Sequence, residues 1–205
     1  MLLASRAAVR GLFVTFEGID RSGKTTQARM LCEALGDECV AVREPGGTEV
    51  GERVRELLKD PALRIGPRAE ALLFAAARAE LVARVIRPAL EEGRVVVCDR
   101  FLDSSLAYQG AARGLGIEEV ARVNAFATGG LEPDLTFLLW LDPAEAAARD
   151  GAPDRFEDEG AALQEAVLRG YERIATGARW RRLDATRPPE ELHAAVLAAV
   201  EEARR

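Results

Sequence analysis

The sequence predicts an α/β domain built on a doubly wound, parallel, five-stranded sheet with helices on both faces. Three observations lead there. Short apolar runs alternate with longer segments of helical periodicity along the chain. The apolar runs are continuous rather than alternating, as strands covered on both faces require. No repeat, linker or low-complexity segment divides the 205 residues, so residues 1–205 read as a single domain.

MLLASRAAVR, residues 1–10, is too short an apolar stretch for a signal peptide and reads as a loose leader. GLFVTFE, Gly11 to Glu17, is a buried first strand, and Lys24 to Leu35 is a helix fed by a glycine-rich loop. Glu38 to Arg43 is a short second strand, followed by a turn at Pro45 to Thr48 and an amphipathic helix over Glu49 to Lys59. Arg68 to Glu92 carries apolar residues at helical spacing, with Pro88 near its end. RVVVC, Arg94 to Cys98, is a strand that runs into Asp99-Arg100. Helical segments follow at Ser104 to Ala111 and Glu118 to Ala127. Leu135 to Leu141 is a wholly apolar strand, and Ala144 to Arg149 is helical. Asp150 to Asp158 is polar and turn-like, Ala161 to Thr176 is helical, and Trp180 to Asp184 is the last strand. A helix from Pro188 to Ala203, with proline in its first turn, closes the chain.

Composition narrows the function. A net charge of -6 disfavours general nucleic-acid binding, so any basic cluster is a local anion site. No apolar run reaches the ~18 residues that span a membrane, and a cytoplasmic protein is expected. Cys32, Cys39 and Cys98 contain no C-x-x-C pair, which argues against a zinc site or a disulfide framework and for buried, reduced thiols. Lysine occurs only at Lys24 and Lys59 among 28 cationic side chains. Where an arginine-rich chain keeps lysine, a compact point charge is wanted, which fits Lys24. Lys59 reads as an exposed helix residue, and His193, the one histidine, as a surface residue.

FEGIDRSGKTTQ, Phe16 to Gln27, holds the pattern G-x-x-x-x-G-K-[ST] between a strand and a helix. Its glycines let successive N–H groups curl around phosphate oxygens at a helix N-terminus. Gly18, Ile19, Asp20, Arg21, Ser22, Gly23, Lys24, Thr25 and Thr26 are the candidate ATP-binding run. Lys24 reaches the β- and γ-phosphates, and the Thr25 hydroxyl binds Mg²⁺. Asp99, ending an apolar strand, suits the second metal residue, acting partly through water. The fold is then of the P-loop NTPase type, with ligands at the carboxyl ends of the strands. Those ends carry Gly18, Arg43-Glu44, Asp99-Arg100 and Asp142. A guanine-reading N-K-x-D is absent from the sequence, and a compact chain with arginines at its strand ends suits a small kinase with an anionic second substrate.

The chain resembles the thymidylate kinase family. The resemblance rests on FEGIDRSGKTTQ, REPGGT (Arg43 to Thr48), LLFAAARAEL (Leu72 to Leu81), DRFLDSSLAYQG (Asp99 to Gly110), PDLTFLLWL (Pro133 to Leu141), PDRFE (Pro153 to Glu157) and LDAT (Leu183 to Thr186). It implies transfer of the γ-phosphate of ATP to dTMP, with Mg²⁺ as cofactor, by a homodimer. It further implies that Phe74 stacks on thymine and that Arg78, one helical turn on, bonds the pyrimidine edge. Ser104 and Ser105 lie beside the base, and Tyr108 and Gln109 near the sugar. Asp20 approaches the sugar 3′-hydroxyl, Arg100 holds the acceptor phosphate, and Glu44 and Pro45 border it. Ala185 and Arg187 border adenine.

Members of the family take a catalytic arginine either from the phosphate loop or from a basic lid. Here the lid, residues 148–160, offers only Arg149 and Arg155 among many acids. Arg21 is therefore expected to act in catalysis with Lys24, Asp99 and Arg100, while Arg149 and Arg155 close over ATP. Another pyrimidine nucleotide or deoxynucleoside kinase, or a nucleotide-dependent binding switch, remains an alternative.

Overall fold

The computed structural model describes residues 11–149 and 160–205. The leader and most of the lid, including Arg155, lie outside the described residues. The sheet contains β1 (Leu12–Glu17), β2 (Cys39–Arg43), β3 (Val95–Asp99), β4 (Leu135–Trp140) and β5 (Trp180–Asp184). Its order is β2-β3-β1-β4-β5, and every pairing is parallel. The three inner strands are buried almost throughout. The two edge strands expose alternate or paired residues, which is why β5 tolerates Arg181 and Arg182.

Helices cover both faces: α1 (Lys24–Leu35), α2 (Glu49–Lys59), α3 (Pro67–Leu81), α4 (Arg87–Glu91), α5 (Leu102–Ser105), α6 (Ile117–Thr128), α7 (Pro143–Ala147), α8 (Ala161–Ile174) and α9 (Pro189–Ala203). Alternation along β1 sorts its side chains between two cores. Val14 and Phe16 join Leu31 of α1 and Val196 and Val200 of α9, with Phe16 stacked on Phe137 at 5.2 Å. Phe13 faces Leu81, Ile86 and Val120 and meets Phe101 edge-on at 4.9 Å.

The helix expected over Arg68 to Glu92 is interrupted by a π-helical turn at Val82–Ile86. Pro88 lacks the N–H that would bond the Arg84 carbonyl, so the turn before it widens. A second π-helical segment, Leu106–Ala112, follows α5 directly. It lets α8 approach closely: a Cβ on Gly170 would sit 3.0 Å from Ala107 Cα, Ala107 O and Ala111 Cβ. Beneath this crossing Arg179 forks onto the buried Asp103 at 2.7 and 2.8 Å and reaches Thr136 Oγ1 at 2.5 Å.

Three expectations about single residues are corrected. Cys32 and Cys39 are half-buried and disulfide-paired, with Cα atoms 5.3 Å apart; only Cys98 is a free, buried thiol. The turn at Gly36–Glu38 folds the end of α1 beside the start of β2, a proximity that cysteine spacing alone does not reveal. His193 is half-buried, and its Nδ1 is buried without a hydrogen-bond partner among the described residues. Lys59 is half-buried and faces the pocket described next.

Candidate active site

The phosphate loop leaves β1 at the centre of the sheet, between the ends of β3 and β4. Gly18 (φ 140°) passes so close to β4 that a Cβ would lie 2.5 Å from the Leu139 carbonyl oxygen, so glycine is required there. Arg21 holds a left-handed backbone at φ 60°. Lys24 is buried and donates to the Ile19 carbonyl at 2.5 Å and to Ser22 Oγ at 3.3 Å. Burial, with Arg100 adding to it, pulls the Lys24 pKa down to about 8 against the pull of Asp20, Asp99 and Glu17. Thr25 Oγ1 donates to Asp99 Oδ2 at 2.5 Å on the exposed rim. That juxtaposition of hydroxyl and carboxylate is a set of hard oxygen donors, which fits Mg²⁺.

Asp99 ends β3, and Arg100 turns sharply out of it at φ 68°. The Arg100 guanidinium donates to the Gly18 carbonyl at 3.0 Å and to Ser104 Oγ at 3.2 Å, and it pairs with Asp20. It also lies over the Tyr108 ring, 5.2 Å from its centroid. Burial works to raise the Asp20 pKa, but Arg100 and Lys24, with hydrogen bonds from Gln164 and Tyr108, outweigh it and hold the carboxyl below its usual range.

These groups open into a pocket of about 340 Å³, in the range of small-molecule sites. Phe74, Arg78, Ser105 and Gln109 line one end, and Asp20, Arg21, Lys24, Thr25, Asp99 and Arg100 the other. Glu44, Pro45, Arg43, Arg55 and Lys59 lie along the side. The Thr48 hydroxyl caps α2 by accepting from Gly51 N at 3.0 Å, which fixes the turn before it. Arg55 donates to the Pro45 carbonyl at 2.8 Å. Arg43 instead turns to Glu52, with both contacts at 2.9 Å.

Arg78 is 1% exposed, and its guanidinium is fully engaged. Its Nε and Nη2 donate to Glu44, Nη1 to Ser105 and Asn124, and Nη2 also to the Phe101 carbonyl. An arginine has five N–H donors, so every one has a protein acceptor. Arg78 therefore braces Glu44 and Ser105 at the wall of the pocket. Glu44 Oε1 is buried with no partner among the described residues. Burial pushes the Glu44 pKa up, with Arg78 opposing.

Behind the loop sits a charge that sequence reasoning passed over. Glu17 ends β1, is 0% exposed, and accepts from Phe101 N at 2.8 Å, Ser104 Oγ at 2.6 Å and Tyr171 Oη at 2.8 Å. Two turns nearer the start of α8, the helix that carries Tyr171, Gln164 grips Asp20: its Nε2 donates to Oδ2 at 2.9 Å and its Oε1 accepts from the Asp20 N–H at 3.3 Å. A charged last residue in an apolar strand was the available signal for Glu17. Gln164 and Tyr171 had none.

Of the expected site residues, the structure brings Asp20, Arg21, Lys24, Thr25, Glu44, Pro45, Phe74, Arg78, Asp99, Arg100, Ser104, Ser105, Tyr108 and Gln109 to one pocket. Tyr108 and Gln109 diverge: the Tyr108 hydroxyl donates to Asp20 at 3.2 Å, whereas Gln109 donates to Glu70 of α3 at 2.9 Å. Arg149 and Arg21 each donate to the other's carbonyl at 3.0 Å, and Arg149 also reaches the Ala185 carbonyl at 2.5 Å. Arg187 is exposed and pairs with Glu191 at 2.7 Å. Asp142 caps α7 through Ala144 N at 2.8 Å and does not line the pocket.

A family model described as thymidylate kinase matches residues 16–196. A thymidylate kinase of Deinococcus radiodurans is 50% identical over 201 residues, covering 94% of this chain and 98% of its own. One from Pelotomaculum thermopropionicum is 50% identical over 204 residues, covering 95% and 94%. One from Lactobacillus delbrueckii subsp. bulgaricus is 49% identical over 176 residues, covering 81% and 83%.

Proposed function

Because the chain belongs to the thymidylate kinase family, we propose that it transfers the γ-phosphate of ATP to dTMP, giving dTDP and ADP for dTTP biosynthesis. The observation that carries this reading is one pocket in which the phosphate loop, the Arg100 turn and the Phe74 face of α3 meet. A donor phosphate, an acceptor phosphate and a flat base can share it.

A phosphate oxygen of dTMP attacks the γ-phosphorus in line, a new P–O bond forms, and the β–γ bridge breaks with ADP as leaving group. The protein's share is positioning and charge. Backbone N–H groups from Gly18 to Thr26 and the Lys24 ammonium hold the donor. Arg100 orients the acceptor, with Arg55 and Lys59 extending the basic wall beside Glu44 and Pro45. Phe74 stacks on the ring, Ser104 and Ser105 lie beside it, and Asp20 and Tyr108 face the sugar. Arg21 meets the charge that develops on the transferring group. Arg149, joined to it, closes over ATP together with Arg155, and Ala185 and Arg187 border the adenine. Thr25 and Asp99 would hold Mg²⁺, which supplies charge neutralisation at the β- and γ-oxygens.

Among the described residues no helix is long and apolar enough to cross a membrane. We place the enzyme in the cytoplasm. We also read it as a homodimer, because Leu72 and Phe126 are 58% and 92% exposed on α3 and α6, two helices that pack together.

The test is ADP formation with ATP, with and without Mg²⁺, against dTMP, dUMP, CMP and thymidine. Turnover that depends on dTMP and on Mg²⁺ is expected. A preferred acceptor other than dTMP would mark a different pyrimidine kinase, and slow hydrolysis indifferent to any acceptor would mark a nucleotide-dependent switch.

A further inference from the structure

Gln109 is 2% exposed, on the π-helical segment, and its amide faces two ways. Nε2 donates to Glu70 Oε1 at 2.9 Å, and Gln109 also lines the pocket. Glu70 is 1% exposed and accepts from Arg113 as well, at 3.2 Å to Oε1 and 3.3 Å to Oε2. A carboxylate held by an arginine can only accept hydrogen bonds. The amide must therefore turn its nitrogen to Glu70, and the carbonyl oxygen is left as the group it can present to the pocket.

The position of Glu70 locates this oxygen. Glu70, Phe74 and Arg78 stand at i, i+4 and i+8, one stripe of α3. Tyr108 is held at the opposite end by Asp20. Gln109 is thus drawn to the aromatic end of the pocket, and Tyr108 to the phosphate end. At that end a thymine ring offers an N3–H donor between two carbonyl acceptors. A cytosine ring has a bare lone pair at N3. An amide oxygen attracts the first and repels the second, whereas an inverted amide would do the reverse.

We propose that Glu70, which does not touch substrate, sets base selectivity by locking the Gln109 amide with its carbonyl oxygen toward the pyrimidine edge. The assignment rests on reading the pocket as a dTMP site. It makes Glu70 a positioning residue, with Arg113 as its ion-pair partner.

The experiment compares kcat/KM for dTMP and for dCMP in wild type, Glu70→Gln and Arg113→Met. A glutamine at residue 70 can donate or accept, so Gln109 is released to turn either way. The dTMP-to-dCMP ratio is expected to fall at least about tenfold in Glu70→Gln, mainly through KM. Arg113→Met removes the same ion pair but leaves the acceptor on Gln109, and it should keep the ratio within about threefold. If Glu70→Gln does not fold, the double variant Glu70→Gln/Arg113→Met removes both charges together and should show the same loss. A ratio unchanged on loss of the Glu70 carboxylate, or lowered equally by Arg113→Met alone, overturns the proposal. A wild type that does not use dTMP overturns the reading beneath it instead.

Discussion

The hydroxyl of Tyr171 donates to the carboxylate of Glu17 at 2.8 Å, joining residues 154 positions apart. Through this bond α8 is anchored directly behind the phosphate loop. Ser104 shares the carboxylate and also receives Arg100, so Glu17 is linked to Arg100 by two hydrogen bonds through one side chain.

Burial first, and the charge of Asp103 second, push the Glu17 pKa from 4.5 up to about 7; hydrogen bonds from Ser104 and Tyr171 and the charge of Arg100 act against the shift. A carboxyl raised in the folded state favours folding while it is protonated. Its contribution is complete below about pH 4.5 and is lost as pH rises through about 7. Thermal melts from pH 5 to 8 should show wild-type stability declining relative to Glu17→Gln. Parallel curves for the two proteins would refute this.

Arg21→Gly separates catalysis from stability. The substitution relieves the left-handed backbone at φ 60° but removes the bond to the Arg149 carbonyl, two effects of ~1 kcal/mol and opposite sign. The melting temperature should change little, while turnover falls by ~10³ or more. Arg149→Ala should cost far less than Arg21→Ala. A loss under tenfold for Arg21→Ala would move the catalytic cation to the lid.

Arg179→Met leaves Asp103, 0% exposed, as a buried carboxylate without its forked partner. A loss of ~3–5 kcal/mol is expected near neutral pH. Protonating Asp103 removes the orphaned charge, so the deficit should shrink on acidification. Denaturant melts at pH 5 and 7.5 measure both quantities, and an equal deficit at the two pH values would argue against the mechanism.

Gly170→Ala tests whether α8 must touch the π-helical segment. The added methyl meets backbone at 3.0 Å, so α8 must move outward or the segment must yield. Destabilisation of ~1–3 kcal/mol is expected. KM for dTMP should rise with it, because Gln164 and Tyr171 ride on the same helix. A stability loss with unchanged KM would uncouple the helix from the site.

The inner strands were legible because runs such as Phe13 to Phe16 and Leu135 to Leu139 can only be buried. The phosphate loop was legible because its glycines and Lys24 occur at fixed spacing. What stayed hidden depends on which side chains meet across the fold. Periodicity marks Arg78 as lying on the Phe74 face but cannot count the acceptors that take its five N–H groups. Arg55 and Lys59 read as ordinary charges on an amphipathic helix until the Pro45 turn brings α2 over the pocket. The Cys32–Cys39 pair, likewise, depends on a 3₁₀ turn.

With Arg100 proposed as the ligand of the acceptor phosphate, its pairing with Asp20 would turn phosphate capture into a swap. An anion that reaches Arg100 takes over a position held by a carboxylate of the phosphate loop itself. The charge around the arginine then changes little, so affinity for the acceptor should depend less on ionic strength than the number of arginines suggests. The displaced carboxylate stays beside the newly seated molecule and is released to it by the same event. Acceptor binding and the readiness of the loop thus become one exchange reaction, with the protein supplying its own counterion.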